Sequence, residues 1–176
     1  IVIELLPESA PNTVNSFIYT ASRGYLDHHA IERIVPGNWV DVSYTAFGKK
    51  ECRYLIPNEF ELNPDVVPLD SHPGAVCMGG YGEAGLAGCE FFFPLRDCPD
   101  HKGIYPVFGR VLEGMDELYR LEKVETVPVT DFPIEGVEVN RPVKPEIIER
   151  VELELHGEIY PEPVRVREPE LPECWK

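Results

Sequence analysis

The chain has 176 residues, 43% of them hydrophobic and 10% aromatic, which suits one compact domain and excludes disorder along its whole length. Thirty-one acidic residues against 16 basic ones give a formal charge of -15, so nucleic acid and anionic membrane are repelled and neither is expected as a partner. No apolar run reaches the ~18 residues of a membrane span, and no charged and apolar leader opens the chain, so a cytoplasmic location is expected.

Ile1–Leu6 is apolar and β-branched, and Pro7, which lacks a ladder donor, closes it: a first strand is predicted. A helix follows, with Pro11 in its first turn, Val14, Phe17, Ile18 and Ala21 on one face, and Gly24 as a left-handed stop. From Ala30 the pattern is extended. Ile31, Ile34 and Val35 lead into Pro36-Gly37 and then Trp39–Tyr44, a strand, turn and strand. Residues 45–73 contain Pro57, Pro64, Pro68 and Pro73 and are predicted to be a long irregular excursion.

Ala75–Met78, Phe91–Leu95 and Val107–Leu112 are the next strands, with the glycines between 79 and 88 making the first connection flexible. That glycine run has neither dinucleotide nor P-loop spacing and no lysine, so phosphate binding is not expected. Met115–Lys123 is a short helix with Leu118, Tyr119 and Leu121 available for burial. In Ile147–His156 the apolar Val151, Leu153 and Leu155 alternate with Arg150, Glu152 and Glu154, the cleanest strand pattern in the chain. After Gly157 prolines and charges dominate, which separates a domain, 1–157, from an extended tail, 158–176. Mainly β structure with two short helices points to a closed antiparallel β-barrel capped by helices.

The cysteines at 52, 77, 89, 98 and 174 are odd in number and lack a CxxC spacing, so free thiols are expected rather than a disulfide framework or zinc knuckle. His28 and His29 have no companion ligand at helical spacing, and no metal site or cofactor is expected.

Several strings resemble the cyclophilins, barrel-shaped peptidyl-prolyl cis-trans isomerases. Glu8-Ser9-Ala10-Pro11-Asn12-Thr13-Val14-Asn15-Ser16-Phe17 is similar to the family's first helix, and Glu32-Arg33-Ile34-Val35-Pro36-Gly37 to its His-Arg-(Ile/Val)-Ile-Pro-Gly. Gly74-Ala75-Val76-Cys77-Met78, Ala87-Gly88-Cys89-Glu90-Phe91-Phe92 and Val107-Phe108-Gly109-Arg110-Val111-Leu112-Glu113-Gly114-Met115 resemble later family strings in the same order, and the chain starts where the family has its second strand. The resemblance covers residues 1 to about 156.

The resemblance implies a cofactor-free isomerase of Xaa-Pro bonds with Arg33 as the catalytic donor and Phe92 as the proline floor, while Phe91 turns into the core. The substrate wall it implies is Asn38, Trp39, Asp41, Gly79, Gly80, Glu90, Phe92, His101 and Tyr105. Most of these depart from the family. Asp41 and Glu90 stand where glutamines are usual, and as two carboxylates around Arg33 they would clamp its guanidinium and leave about one unit of negative charge. Partners implied are proline-containing peptides or unfolded proteins, and cyclosporin-like ligands with affinity lowered by these changes, acting on a monomer. The alternative is a catalytically silent cyclophilin-like module that holds a proline-containing segment of a partner. The tail is a further occupant to consider, in its own groove or along an open sheet edge.

Overall fold

The structure is a computed structural model that describes residues 1–43, 49–130, 136–171 and 173. Its main sheet has seven strands, all antiparallel. They are β1 (Val2–Leu5), β3 (Arg33–Val35), β4 (Trp39–Asp41), β5 (Leu55–Ile56), β6 (Ala75–Gly80), β7 (Leu86–Pro94) and β8 (Val107–Glu113). The path runs β1-β8-β6-β7-β4-β3, with β5 also paired to β7. Two small ladders join β9 (Thr126–Pro128) to β10 (Asn140–Pro142), and β11 (Ile147–Ile148) to β2 (His29–Ala30).

The helix α1 (Pro11–Ser22) places Val14, Phe17, Ile18 and Ala21 in the core, as their spacing requires. Phe17 meets Phe91 edge-on at 5.4 Å and Phe108 at 5.3 Å, so this helix seals one face of the sheet. Its N-cap, Ala10, has no side-chain oxygen to offer. The cap comes from afar: the fully buried Glu59 accepts from Asn12 N (3.2 Å), Thr13 N (2.7 Å) and Thr13 Oγ1 (2.6 Å). A carboxylate there also faces the positive end of the helix dipole.

Pro36-Gly37 forms the expected turn, with Gly37 at φ +73° and Asn38 N bonded to Val35 O at 2.9 Å. The strand after it ends at Asp41, and Tyr44 lies outside the described residues. The excursion from 45 to 73 is more ordered than its prolines suggest. Residues 44–48 are outside the described set, but β5 and the one-turn helix α2 (Glu59–Leu62) fall within it. Elements of two and four residues leave no periodicity to detect.

The glycine-rich connection is also shorter than predicted, because Leu86–Glu90 is already β7 and fully buried. Gly88 is required by packing: a Cβ there would sit 2.2 Å from the Tyr54 ring. Ser16 Oγ meets Tyr54 OH at 2.7 Å and donates to Gly88 O, tying β7 to α1. The helix α3 (Met115–Leu121) buries Leu118 and Leu121, whereas Tyr119, expected inside, is 41% exposed.

The predicted strand 147–156 is corrected too. Val151, Leu153 and Leu155 do pack on the core while their neighbours face solvent, but ladder pairing stops at Ile148. Alternation reports a buried face, not a bonded neighbour. For the same reason the expected barrel does not close: among the described residues β1 and β3 remain the two ends of an open path. The segment after Gly157 runs extended over α1 and β5. Asn12 bonds both Val164 N (2.8 Å) and Val164 O (3.1 Å) through its side chain, and Val166 N donates to Leu55 O at 2.9 Å.

No helix among the described residues is long and apolar enough to cross a membrane. Cys52, Cys77, Cys89 and Cys98 are free and buried, and Cys174 is outside the described residues.

Candidate functional site

Strand register builds the site. Arg33 lies opposite Asp41, Asp41 opposite Phe92, and Phe92 opposite Cys77, so one row of side chains crosses β3, β4, β7 and β6. The next row, Ile34, Val40 and Phe93, enters the main core instead. This period-2 division assigns Phe91 to the core and Phe92 to the opposite face, as expected from alternation.

On that opposite face a cavity of about 390 Å³ is lined by Arg33, Trp39, Asp41, Gly79, Gly80, Tyr81, Glu90, Phe92, His101, Tyr105 and Val137. All sequence-predicted site residues except Asn38 therefore converge. Asn38 is drawn away because its Oδ1 accepts from Arg96 Nε at 2.8 Å and its backbone oxygen from Leu95 N at 2.8 Å. It fixes the turn to the end of β7 and does not line the cavity. Tyr81 and Val137 had been missed. Tyr81 follows a glycine pair, and Val137 is distant in sequence from every other wall residue.

The apolar half of the cavity is an aromatic box. Phe92 meets His101 at 5.6 Å and Tyr105 at 5.8 Å, both edge-on, and Trp39 lies 6.2 Å from Phe92 and 5.8 Å from His101. Ala75, Cys77 and Val107 pack beneath Phe92. Burial, then the Arg96 charge, lowers the His101 pKa, so the ring is neutral at neutral pH, and Ser71 Oγ sits 3.5 Å behind its Nδ1. Such a box accepts a compact apolar ring.

The polar half contains one cation and two acids. Arg33 Nη1 is 3.1 Å from Asp41 Oδ2, its Nε donates to Glu138 O at 2.7 Å, and its guanidinium carbon lies 5.5 Å from the Trp39 ring. Both partners are largely buried, with side-chain exposures of 14% for Arg33 and 2% for Asp41. Burial raises the Asp41 pKa to about 6, against the lowering effect of Arg33. Glu90 is 5% exposed, and burial followed by the neighbouring Asp41 charge pushes its pKa well above the ordinary carboxyl range. Tyr81 OH donates to Glu90 Oε2 at 3.0 Å.

Of the two acids expected around Arg33, Asp41 pairs with it, while burial and the neighbouring Asp41 charge push Glu90 toward its protonated form. Gly79 permits this packing, since a Cβ there would come within 2.6 Å of Glu90 Oε1. Among the described residues no group of three or more His, Cys, Asp or Glu is arranged to hold a metal.

Residues 1–161 match the family model described as cyclophilin type peptidyl-prolyl cis-trans isomerase/CLD. The chain is similar to peptidyl-prolyl cis-trans isomerase-like 1 of Gibberella zeae, 31% identical over 152 residues, covering 86% of this chain and 91% of that protein. It is 30% identical over 140 residues to the mouse (Mus musculus) peptidylprolyl isomerase domain and WD repeat-containing protein 1, covering 78% of this chain but only 21% of that much longer protein. Among solved structures, a Cryptosporidium parvum cyclophilin type peptidyl-prolyl cis-trans isomerase, crystallised in the presence of the dipeptide Ala-Pro, superposes with a TM-score of 0.63. The two are 19% identical, and the match covers 84% of this chain and 88% of that one.

Proposed function

Because the chain belongs to the cyclophilin-type peptidyl-prolyl isomerase family, we propose that it accelerates rotation about Xaa-Pro bonds in peptides or folding proteins, with Arg33 as the donor and Phe92 as the floor beneath the proline ring. The observation that carries this reading is a fixed guanidinium and an aromatic box facing each other across one cavity.

The reaction makes and breaks no bond. It turns a partly double C–N bond against a barrier of ~20 kcal/mol. At the twisted state the prolyl nitrogen becomes pyramidal and basic, so a donor held near it stabilises that state over either planar one. Arginine suits the role because its charge is permanent and its donors form a rigid fork. Asp41 and the Glu138 carbonyl restrict the side chain before substrate arrives. No cofactor is needed for this chemistry.

The same contacts support a second reading, because they occupy Arg33 Nε and Nη1. In it the groove holds a proline-containing segment of a partner without turning it over. A coupled prolyl-isomerisation assay separates the two. The isomerase reading expects a rate above the uncatalysed level that Arg33→Ala removes. Equal rates with and without the protein, together with Trp39 fluorescence changes on adding an Ala-Pro peptide, would establish the binding module instead.

A further inference from the structure

Asp41 Oδ1 is buried and meets no hydrogen-bond partner among the described residues. Such an oxygen is costly to leave unpaired, by about 1–3 kcal/mol. Glu90 lies two residues from Phe92, the β7 partner of Asp41, on the same face of the strand and in the same cavity, and the two acids shift each other's pKa. A carboxylate cannot donate to that oxygen, but a carboxylic acid can. Asp41 is the member that pairs with Arg33, which makes Glu90 the one placed to carry the proton.

We propose that Glu90 is a positioning residue that works as a neutral carboxylic acid, donating its O–H to Asp41 and thereby setting Asp41 Oδ2 on the Arg33 guanidinium. A neutral carboxylic acid presents an O–H donor and a carbonyl acceptor, and a glutamine amide can present an N–H donor and a carbonyl acceptor to the same two neighbours. The donor goes to Asp41, and the acceptor takes Tyr81 OH. The proposal rests on the isomerase reading for its catalytic consequence, but not for its structural content.

The consequence is a limit on the alkaline side. The groups facing Glu90 are Asp41 from β4, Arg33 from β3 and Tyr81 beyond β6, with the apolar Gly79 beneath it. Loss of the Glu90 proton breaks the bond to Asp41 and places a second negative charge beside Arg33. The positive field at the prolyl nitrogen then falls, and Asp41 is no longer held.

The test has two readouts. Carboxyl carbon NMR on the folded chain, with the Glu90 signal assigned by its absence from Glu90→Gln, is expected to show that carbon titrating well above the ordinary glutamates. In the isomerase assay, wild-type kcat/KM should fall over the same pH range, and Glu90→Gln should remove that fall. Glu90→Ala should lose about tenfold at neutral pH, the worth of one well-placed hydrogen bond, and Glu90→Gln should recover most of it. Tyr81→Phe, which deletes a donor that favours the ionised form, should move the fall to higher pH.

A Glu90 carbon titrating with the ordinary glutamates overturns the proposal, as does an alkaline fall that persists in Glu90→Gln. If the chain shows no isomerase activity at any pH, the isomerase reading fails and the NMR titration still decides the protonation of Glu90. Should Glu90→Ala fail to fold, Glu90→Gln and Tyr81→Phe supply the same decision.

Discussion

Two glutamates are buried among the described residues, and their surroundings are opposites. Glu59, at the start of α2, receives two backbone N–H groups and one hydroxyl from the first turn of α1, and Asn63 Nδ2 besides at 2.7 Å. Glu90, in the groove, receives one phenol and faces a second acid. The first site supplies donors and a helix dipole, which are what a buried carboxylate requires; the second withholds them. The difference separates an acid that secures the helix closing the core from one whose burial and acidic neighbour push it toward its protonated form.

Removing Glu59 is the largest way to test this contrast. Glu59→Ala leaves two backbone donors and the Thr13 hydroxyl unpaired in a dry site, and we expect a loss of about 4 kcal/mol in denaturant unfolding. A loss below about 1 kcal/mol would show that water replaces the carboxylate there, and the contrast would fail. Asp41→Asn comes next. It removes the Asp41 charge from the ion pair with the mostly buried Arg33, and the residual exposure of the arginine side chain limits the expected loss to about 2 kcal/mol. Unfolding curves at neutral pH should place it clearly below Glu59→Ala in effect.

Much of this arrangement was legible in the sequence, and the exceptions have physical causes. The face of α1, the Pro36-Gly37 turn and the divided directions of Phe91 and Phe92 follow from periodicity and turn chemistry, which are local. Arg33 and the box of Trp39, Phe92, His101 and Tyr105 came from the spacing of family-like strings, and the register of four strands brings them together. What local pattern could not carry was anything that depends on a distant neighbour. The glycines near Leu86–Glu90 look flexible until the Tyr54 ring and the Glu90 carboxyl are seen to occupy the space a Cβ would take at Gly88 and Gly79. Asn38 looks like groove wall until Arg96 claims it. The electrostatics of the groove depend on distant neighbours in the same way, because burial raises the pKa of Asp41 and Glu90 and the Asp41 charge raises that of Glu90 further, which no count of acids along the chain can show.

Stability against pH sharpens the contrast further. Asp41 and Glu90 bind protons more tightly in the folded chain than in the unfolded one, so their contribution is complete below the ordinary carboxyl range of about 4. It is lost as pH rises through about 6 for Asp41, and through the raised pKa of Glu90. Unfolding free energy should therefore show a component that declines from acid through neutral to alkaline pH. The same decline in Asp41→Asn/Glu90→Gln would assign it to other groups.

The smallest expected effect is the most discriminating. Near neutral pH the Glu90 carboxylic acid and a glutamine amide at that position fill nearly the same shape with one donor and one acceptor toward the same neighbours, so Glu90→Gln should change stability by less than about 1 kcal/mol. As pH rises the wild type alone must either ionise a buried group beside Asp41 or hold its proton against solvent, and the variant should become progressively the more stable of the two. Glu59→Gln should show no such crossover. It replaces an acceptor by an NH₂ group among donors, and the resulting loss of about 2 kcal/mol should already be present at neutral pH. Parallel curves for both variants would place the two glutamates in the same class and remove the distinction between them.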